Sequence, residues 1–70
     1  MPRRFSGARV RELRELRGMS REQLCAALGK SFSVVRNYEN GHTAPSMRVL
    51  EQLAVVLKVH PGKFFVETDK

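Results

Sequence analysis

Seven arginines stand within the first 21 residues, at positions 3, 4, 9, 11, 14, 17 and 21, against only Glu12 and Glu15. A guanidinium binds oxyanions, often through two hydrogen bonds at once, so this segment suits a polyanion. It carries +5 of the chain's net +6, and the other 49 of the 70 residues share the remaining +1. A second group of hydrogen-bonding side chains, Ser33, Arg36, Asn37 and Asn40, follows the spacing i, i+3, i+4, i+7. That spacing puts all four on one face of a helix. A cation excess of this size selects nucleic acid or an anionic membrane surface as the partner class.

The other reactive side chains assemble neither a catalytic nor a metal site. Cys25 is the one cysteine, so no internal disulfide forms, which fits a reducing compartment. It reads as a small residue at a helix contact rather than a redox sensor. His42 and His60 lie 18 residues apart with no second cysteine nearby. A zinc ion needs three or four ligands. Gly29-Lys30-Ser31 is similar to the end of a phosphate-binding loop, but Leu24 stands where that loop needs its first glycine, and a helix precedes it rather than a strand. No Ser, His and Asp grouping suggests a nucleophile. The expectation is a non-enzymatic protein that uses no cofactor. The longest apolar run, Leu53 to Leu57, falls far short of the roughly 20 residues that span a bilayer. No apolar stretch follows the basic N-terminus to make a secretory signal, so the expected location is cytoplasmic.

Short helices must position these residues. Ser6 can cap a first helix to about Arg17, with Val10, Leu13 and Leu16 as its apolar stripe and Gly18 as its stop. Ser20 and Gln23 make a capping box for a second helix, lined inside by Leu24, Ala27 and Leu28 and stopped by Gly29. Ser31 caps a third, reaching Asn40 and closed by Gly41; Phe32, Val34, Val35 and Tyr38 are its apolar residues. After the loop 42–45, Ser46 caps a fourth through about Leu57, and Pro61 starts a short fifth that brings in Phe64 and Phe65. Strand signals are poor. The expectation is all-α: one domain over residues 1–70, with five helices, a helix-turn-helix unit at 20–40, a flexible basic arm at 1–5 and a loose tail at 67–70.

The fourth helix is apolar on most sides, with only Arg48, Glu51 and Gln52 as a polar strip. A 70-residue chain buries only about 60% of its unfolded surface, and small scaffolds without disulfides or metals often rely on a partner subunit. The surplus apolar residues Val49, Val55 and Val56, with Phe64 or Phe65, are candidates for a subunit contact. The alternative is ordinary exposed valines.

The order and spacing of these landmarks carry a resemblance. Cys25 lies four residues before Gly29, Val35 six after it and Tyr38 three further on, as two helices crossing steeply through a short turn require. With Val10-Arg11, Arg14, Met19-Ser20, Leu24, Tyr38-Glu39-Asn40-Gly41, Pro45, Leu50, Leu57, Val59 and Phe64-Phe65, the chain resembles the XRE-type helix-turn-helix family of lambda and 434 repressors and Cro, over about residues 6–66.

The resemblance implies a five-helix, lambda-repressor-like fold that binds double-stranded DNA as a homodimer on a palindromic operator, with the third helix in the major groove. It implies a structural salt bridge between Arg14 and Glu39. It places phosphate contacts at Arg21, Asn40, His42 and Thr43, where backbone amides also take part, and Lys30 is a turn residue or a further phosphate contact. Base readout falls to Phe32, Ser33, Val34, Arg36 and Asn37: Arg36 can donate twice to guanine, Asn37 can pair with adenine, and Phe32 or Val34 can rest on a thymine methyl. Phe32 departs from the polar residue often found there; it either contacts a base or packs inward. Arg3 and Arg4 form either an arm along a groove or a basic tail adding general attraction. Two other readings compete. One is a protein-interaction module, such as the antitoxin of a toxin–antitoxin pair, holding its partner through the fourth and fifth helices. The weaker is a membrane-surface binder using the first helix, whose apolar residues are however needed for the core.

Overall fold

Each α-helix of the computed structural model, which describes residues 3–67, begins at a serine. The elements run β1 (Arg3–Phe5), α1 (Gly7–Leu16), α2 (Arg21–Leu28), α3 (Phe32–Asn40), α4 (Met47–Leu57), a 3-10 turn (Pro61–Phe64) and β2 (Phe65–Glu67). Ser6, Ser20, Ser31 and Ser46 each accept a hydrogen bond from the backbone N–H three residues on, satisfying a donor that the helix leaves open. At Ser20 the box is complete, with the Gln23 side chain accepting from the Ser20 N–H at 2.7 Å. His60 caps the 3-10 turn, its Nδ1 accepting the Gly62 N–H at 2.9 Å.

The core is built from Val10, Leu24, Leu28, Val35, Tyr38, Val49, Leu50, Leu53, Ala54, Leu57 and Phe64. α1 lies on α3, and α2 packs on both α3 and α4. The approach of α1 to α3 is set by Gly7, which is buried. A Cβ at this position would collide with the Tyr38 carbonyl oxygen and lie 2.7 Å from that of Glu39. Only glycine lets the two backbones meet there.

Among the described residues there are four α-helices rather than five. The chain after Pro61 makes one 3-10 turn and then turns extended, because Phe65 and Val66 find a partner strand. β1 and β2 pair antiparallel, with Arg3 opposite Glu67, Arg4 opposite Val66 and Phe5 opposite Phe65. Phe5 and Phe65 meet edge to face at 6.3 Å, and the Ser6 N–H donates to the Phe64 carbonyl at 2.7 Å. This corrects the expected arm at 1–5 over residues 3–5, and the expected tail at 67–70 at Glu67. Residues 3–5 are a strand tied to the chain's other end, and Glu67 belongs to β2. Residues 1–2 and 68–70 lie outside the described residues.

Two helix faces also differ from expectation. Leu16 is 73% exposed, while Arg14 is buried. Stepping three residues rotates a helix by about 60° short of a full turn, so a Val10, Leu13, Leu16 stripe drifts away from the core. The i+4 step from Val10 to Arg14 stays on it. In α2, Ala27 is exposed and only Leu24 and Leu28 are buried.

In α4, Val49 lines up with Leu53 and Leu57 at four-residue steps and is buried, and Phe64 is fully buried. Neither is available to a partner subunit. Val55 remains outward, at 78% exposed, with Val56 half-buried beside it. Phe65 is half-buried against Phe5.

Candidate nucleic-acid interface

The site is two helices, a turn and the carboxylate that locks them. α2 ends at Gly29, whose φ of 68° is left-handed, and the Lys30 N–H closes the helix on the Cys25 carbonyl at 3.1 Å. The chain then restarts at Ser31 into α3. Val35, Tyr38 and Glu39 form the buried side of α3. Cys25 is half-buried against the core, and burial pushes its thiol pKa above the ordinary value. A thiol held protonated in this way is a poor nucleophile.

Glu39 organises the site. Its side chain is fully buried and takes two arginines. Arg14 Nε donates to Oε2 at 2.7 Å and Nη2 to Oε1 at 3.2 Å, a two-pronged pair, while Arg14 Nη1 donates to the Met19 carbonyl at 2.9 Å. The hydrogen bond to Glu39 outweighs the cost of burial and holds the Arg14 pKa above its ordinary value. Arg21 Nε donates to Glu39 Oε1 at 3.0 Å, and its guanidinium lies over the Phe32 ring, 5.4 Å from the centroid. One carboxylate thus joins α1, the residues before α2, the start of α2 and the C-terminal end of α3. Among the described residues, no buried side-chain nitrogen or oxygen lacks a partner.

Locked in this way, α3 turns its other face outward. Ser33, Arg36 and Asn40 are exposed, Asn37 is half-buried and Phe32 is 44% exposed. Val34 packs against the core at the far margin of the face. Lys30, His42 and Thr43 are exposed around it. The backbone amides of residues 41–43 do not point outward. Those of His42 and Thr43 donate to the Asn37 carbonyl at 3.0 and 3.4 Å, and Gly41 donates to that of Tyr38 at 3.1 Å. They finish α3, so only side chains at 40, 42 and 43 remain for an external oxyanion.

The arginines of the N-terminal segment are mostly engaged elsewhere. Arg3 Nη2 donates to the Gly62 carbonyl at 3.0 Å, and Arg9 Nε to that of Lys63 at 3.2 Å. Arg11 pairs with Glu15 at 3.5 Å. Arg17 Nε and Nη2 donate to the carbonyls of Leu57 and Lys58 at 2.8 and 3.2 Å, capping α4. Arg4 is exposed on β1. Sequence reasoning missed three features here: Gly7, the second arginine on Glu39, and the capping duty of Arg17. A glycine one residue after a capping serine was the available signal for the first; the other two are pairings that only the fold reveals.

A helix-turn-helix family model matches residues 10–64. Fold and match agree, and the chain belongs to the XRE-type helix-turn-helix family of DNA-binding transcriptional regulators.

Its relatives bear the same description. The uncharacterized HTH-type transcriptional regulator y4wC of Sinorhizobium fredii is 39% identical over 62 residues, covering 89% of this chain and 43% of that protein. The uncharacterized HTH-type regulator YazB of Bacillus subtilis is 36% identical over 53 residues, covering 76% of this chain and 77% of that one. The chain thus spans less than half the length of y4wC. Among solved structures, the restriction–modification controller protein C.AhdI of Aeromonas hydrophila superposes with a TM-score of 0.77 at 34% identity, over 83% of this chain and 88% of that chain. SinR, a master regulator of biofilm formation solved in complex with DNA, superposes with a TM-score of 0.75 at 28% identity, over 81% of this chain and 95% of that one. Among the described residues, no helix is long and apolar enough to cross a membrane.

Proposed function

We propose that the protein binds double-stranded DNA sequence-specifically as a homodimer on a two-fold operator, and regulates transcription from it. The observation that carries this reading is the outer face of α3. Ser33, Arg36 and Asn40 are exposed there, uncovered by any described element, while Glu39 on the opposite side is buried between two arginines. A helix held rigidly on one side and polar on the other can enter a major groove without reorganising. Arg36 reads guanine and Asn37 adenine, with Ser33 as a further contact and Phe32 and Val34 supplying apolar edges. Lys30 and the side chains of Asn40, His42 and Thr43 hold phosphates and set the register. Arg4, exposed on its strand, adds general attraction.

The subunit contact falls to the outer side of α4. Val55 and Val56 border a groove lined by Ala27, Arg48, Glu51 and Gln52. The groove carries one cation and one anion, so a second copy related by a two-fold axis can pair Arg48 with Glu51 in both directions. The same surface favours the second reading, an interaction module such as an antitoxin, because Met47 and Val55 are 65% and 78% exposed.

Selection of bound duplexes from a random pool, with sedimentation of the free and bound protein, tests the DNA binding and the homodimer. The expected result is an enriched inverted repeat, its halves one helical turn (roughly 34 Å) apart, bound by two copies. A pool that shows no enriched sequence overturns the DNA reading. A monomer that stays monomeric on the enriched site overturns the homodimer.

A further inference from the structure

Phe32 and Arg21 form a unit that neither the core nor the solvent accounts for. Phe32 opens α3 and stays 44% exposed, so it is not a core residue. Its ring is not loose either, since the Arg21 guanidinium lies 5.4 Å from the centroid. That guanidinium is fixed in turn by the 3.0 Å bond from Nε to Glu39 Oε1, and the Glu39 side chain is fully buried. Arg14 grips the same carboxylate through two bonds, so it cannot swing away. The chain of contacts runs from a buried anion through a planar cation to an aromatic ring at the edge of the outer face of α3. A guanidinium bound through Nε and lying over a ring has lost much of the freedom that a phosphate clamp needs.

We propose that Arg21 is a positioning residue that, anchored on Glu39, holds the Phe32 ring on the outer face of α3 as the reader of a pyrimidine 5-methyl group. This rests on the DNA-binding reading above and gives that site a defined preference. In the major groove thymine differs from the other bases by its C5 methyl, and apolar side chains discriminate it by contact. Phe32 sits one helical turn before Arg36, so the methyl it reads belongs to a base pair next to the one Arg36 contacts. The sequence-based expectation of a phosphate contact at Arg21 makes a different prediction, and the two separate cleanly.

The experiment uses the selected duplex and replaces each thymine by deoxyuridine, one position at a time. Burying one methyl supports a loss of roughly fourfold in affinity. The expected result is one thymine per half-site whose replacement weakens the wild-type protein about fourfold, with that ratio falling to one in Phe32→Ala. Arg21→Lys keeps the charge and Arg21→Met keeps the stem; Glu39 retains Arg14 in both, and circular dichroism confirms the fold. Both variants are expected to lose the methyl discrimination while the dependence of affinity on salt stays that of the wild type. Three results overturn the proposal: no thymine sensitive to methyl removal, discrimination that survives in the Arg21 variants, or a salt slope lowered by about one in Arg21→Met, the signature of a lost phosphate contact. Failure to select any sequence at all counts against the DNA reading itself, and the proposal falls with it.

Discussion

Arginine is densest in and around α1, yet exposed cations without a side-chain bond to another described residue stand on α3 and the turn before it. Of the four arginines from Arg9 to Arg17, Arg9 and Arg17 bond to backbone carbonyls of the C-terminal third, Arg11 to Glu15 and Arg14 to Glu39. Lys30 and Arg36 are exposed, with no side-chain bond to another described residue. A charge count therefore located a polyanion-binding protein but not its binding surface. Arginine in α1 serves mainly as a multi-pronged donor that ties together a chain with little core. Arg17 closes the end of α4, where Lys58 takes a left-handed φ of 60° in place of a glycine. The bond donors of one helix are consumed in building a platform, and the other helix keeps an exposed polar face.

The largest effect expected from this division is on stability. Arg14→Ala leaves the buried Glu39 carboxylate with Arg21 alone, and breaking such a pair costs about 3 kcal/mol or more. Chemical denaturation should show the loss, and a midpoint within experimental scatter of the wild type would mean that the pair contributes nothing. Gly7→Ala follows, because the added methyl must push α1 off the Tyr38 and Glu39 carbonyls. Overpacking of this kind costs about 1–3 kcal/mol, and the obstacle being backbone puts the expected value toward the upper end. It should also weaken binding without touching a contact residue, since α3 loses its seat. A fully stable Gly7→Ala protein would remove α1 from the positioning of α3. The smallest effect belongs to Arg11→Ala, whose partner Glu15 is exposed, as it is itself. A surface pair at four-residue spacing contributes about 0.5 kcal/mol or less. Both the melting curve and DNA affinity should stay near wild type, and a tenfold loss of affinity would return α1 to the binding surface.

The helices were legible because their punctuation is local. A serine that accepts from the third amide on, or a glycine in the left-handed region, acts within a few residues, so four starts and the turn at Gly29 could be read directly. What escaped depends on residues distant in sequence. Strand β1 exists because Phe65 and Val66 are present 60 residues later, and neither end signals a strand alone. Helical spacing alone points to Leu16 where Arg14 is buried; the Arg14–Glu39 pair that explains it is expected only through the family resemblance. At the candidate interface the outward placement of Ser33, Arg36 and Asn40 followed from helical spacing. The inward turn of the amides at 41–43 did not, because it depends on how α3 ends. The sequence leaves Phe32 between base contact and packing; its neighbour across the turn, Arg21, gives it a third condition, half covered and fixed.

The most direct measurement is a titration of the selected duplex with wild-type protein and with the Arg36→Ala, Asn37→Ala double variant, repeated on duplexes mutated at each base pair. The expected result is a loss of at least tenfold, together with relaxed preference at the base pairs these two side chains read, each good two-pronged contact contributing about 1–3 kcal/mol of discrimination. Unchanged affinity with the full pattern of base preference retained would contradict the assignment of α3 as the reading helix.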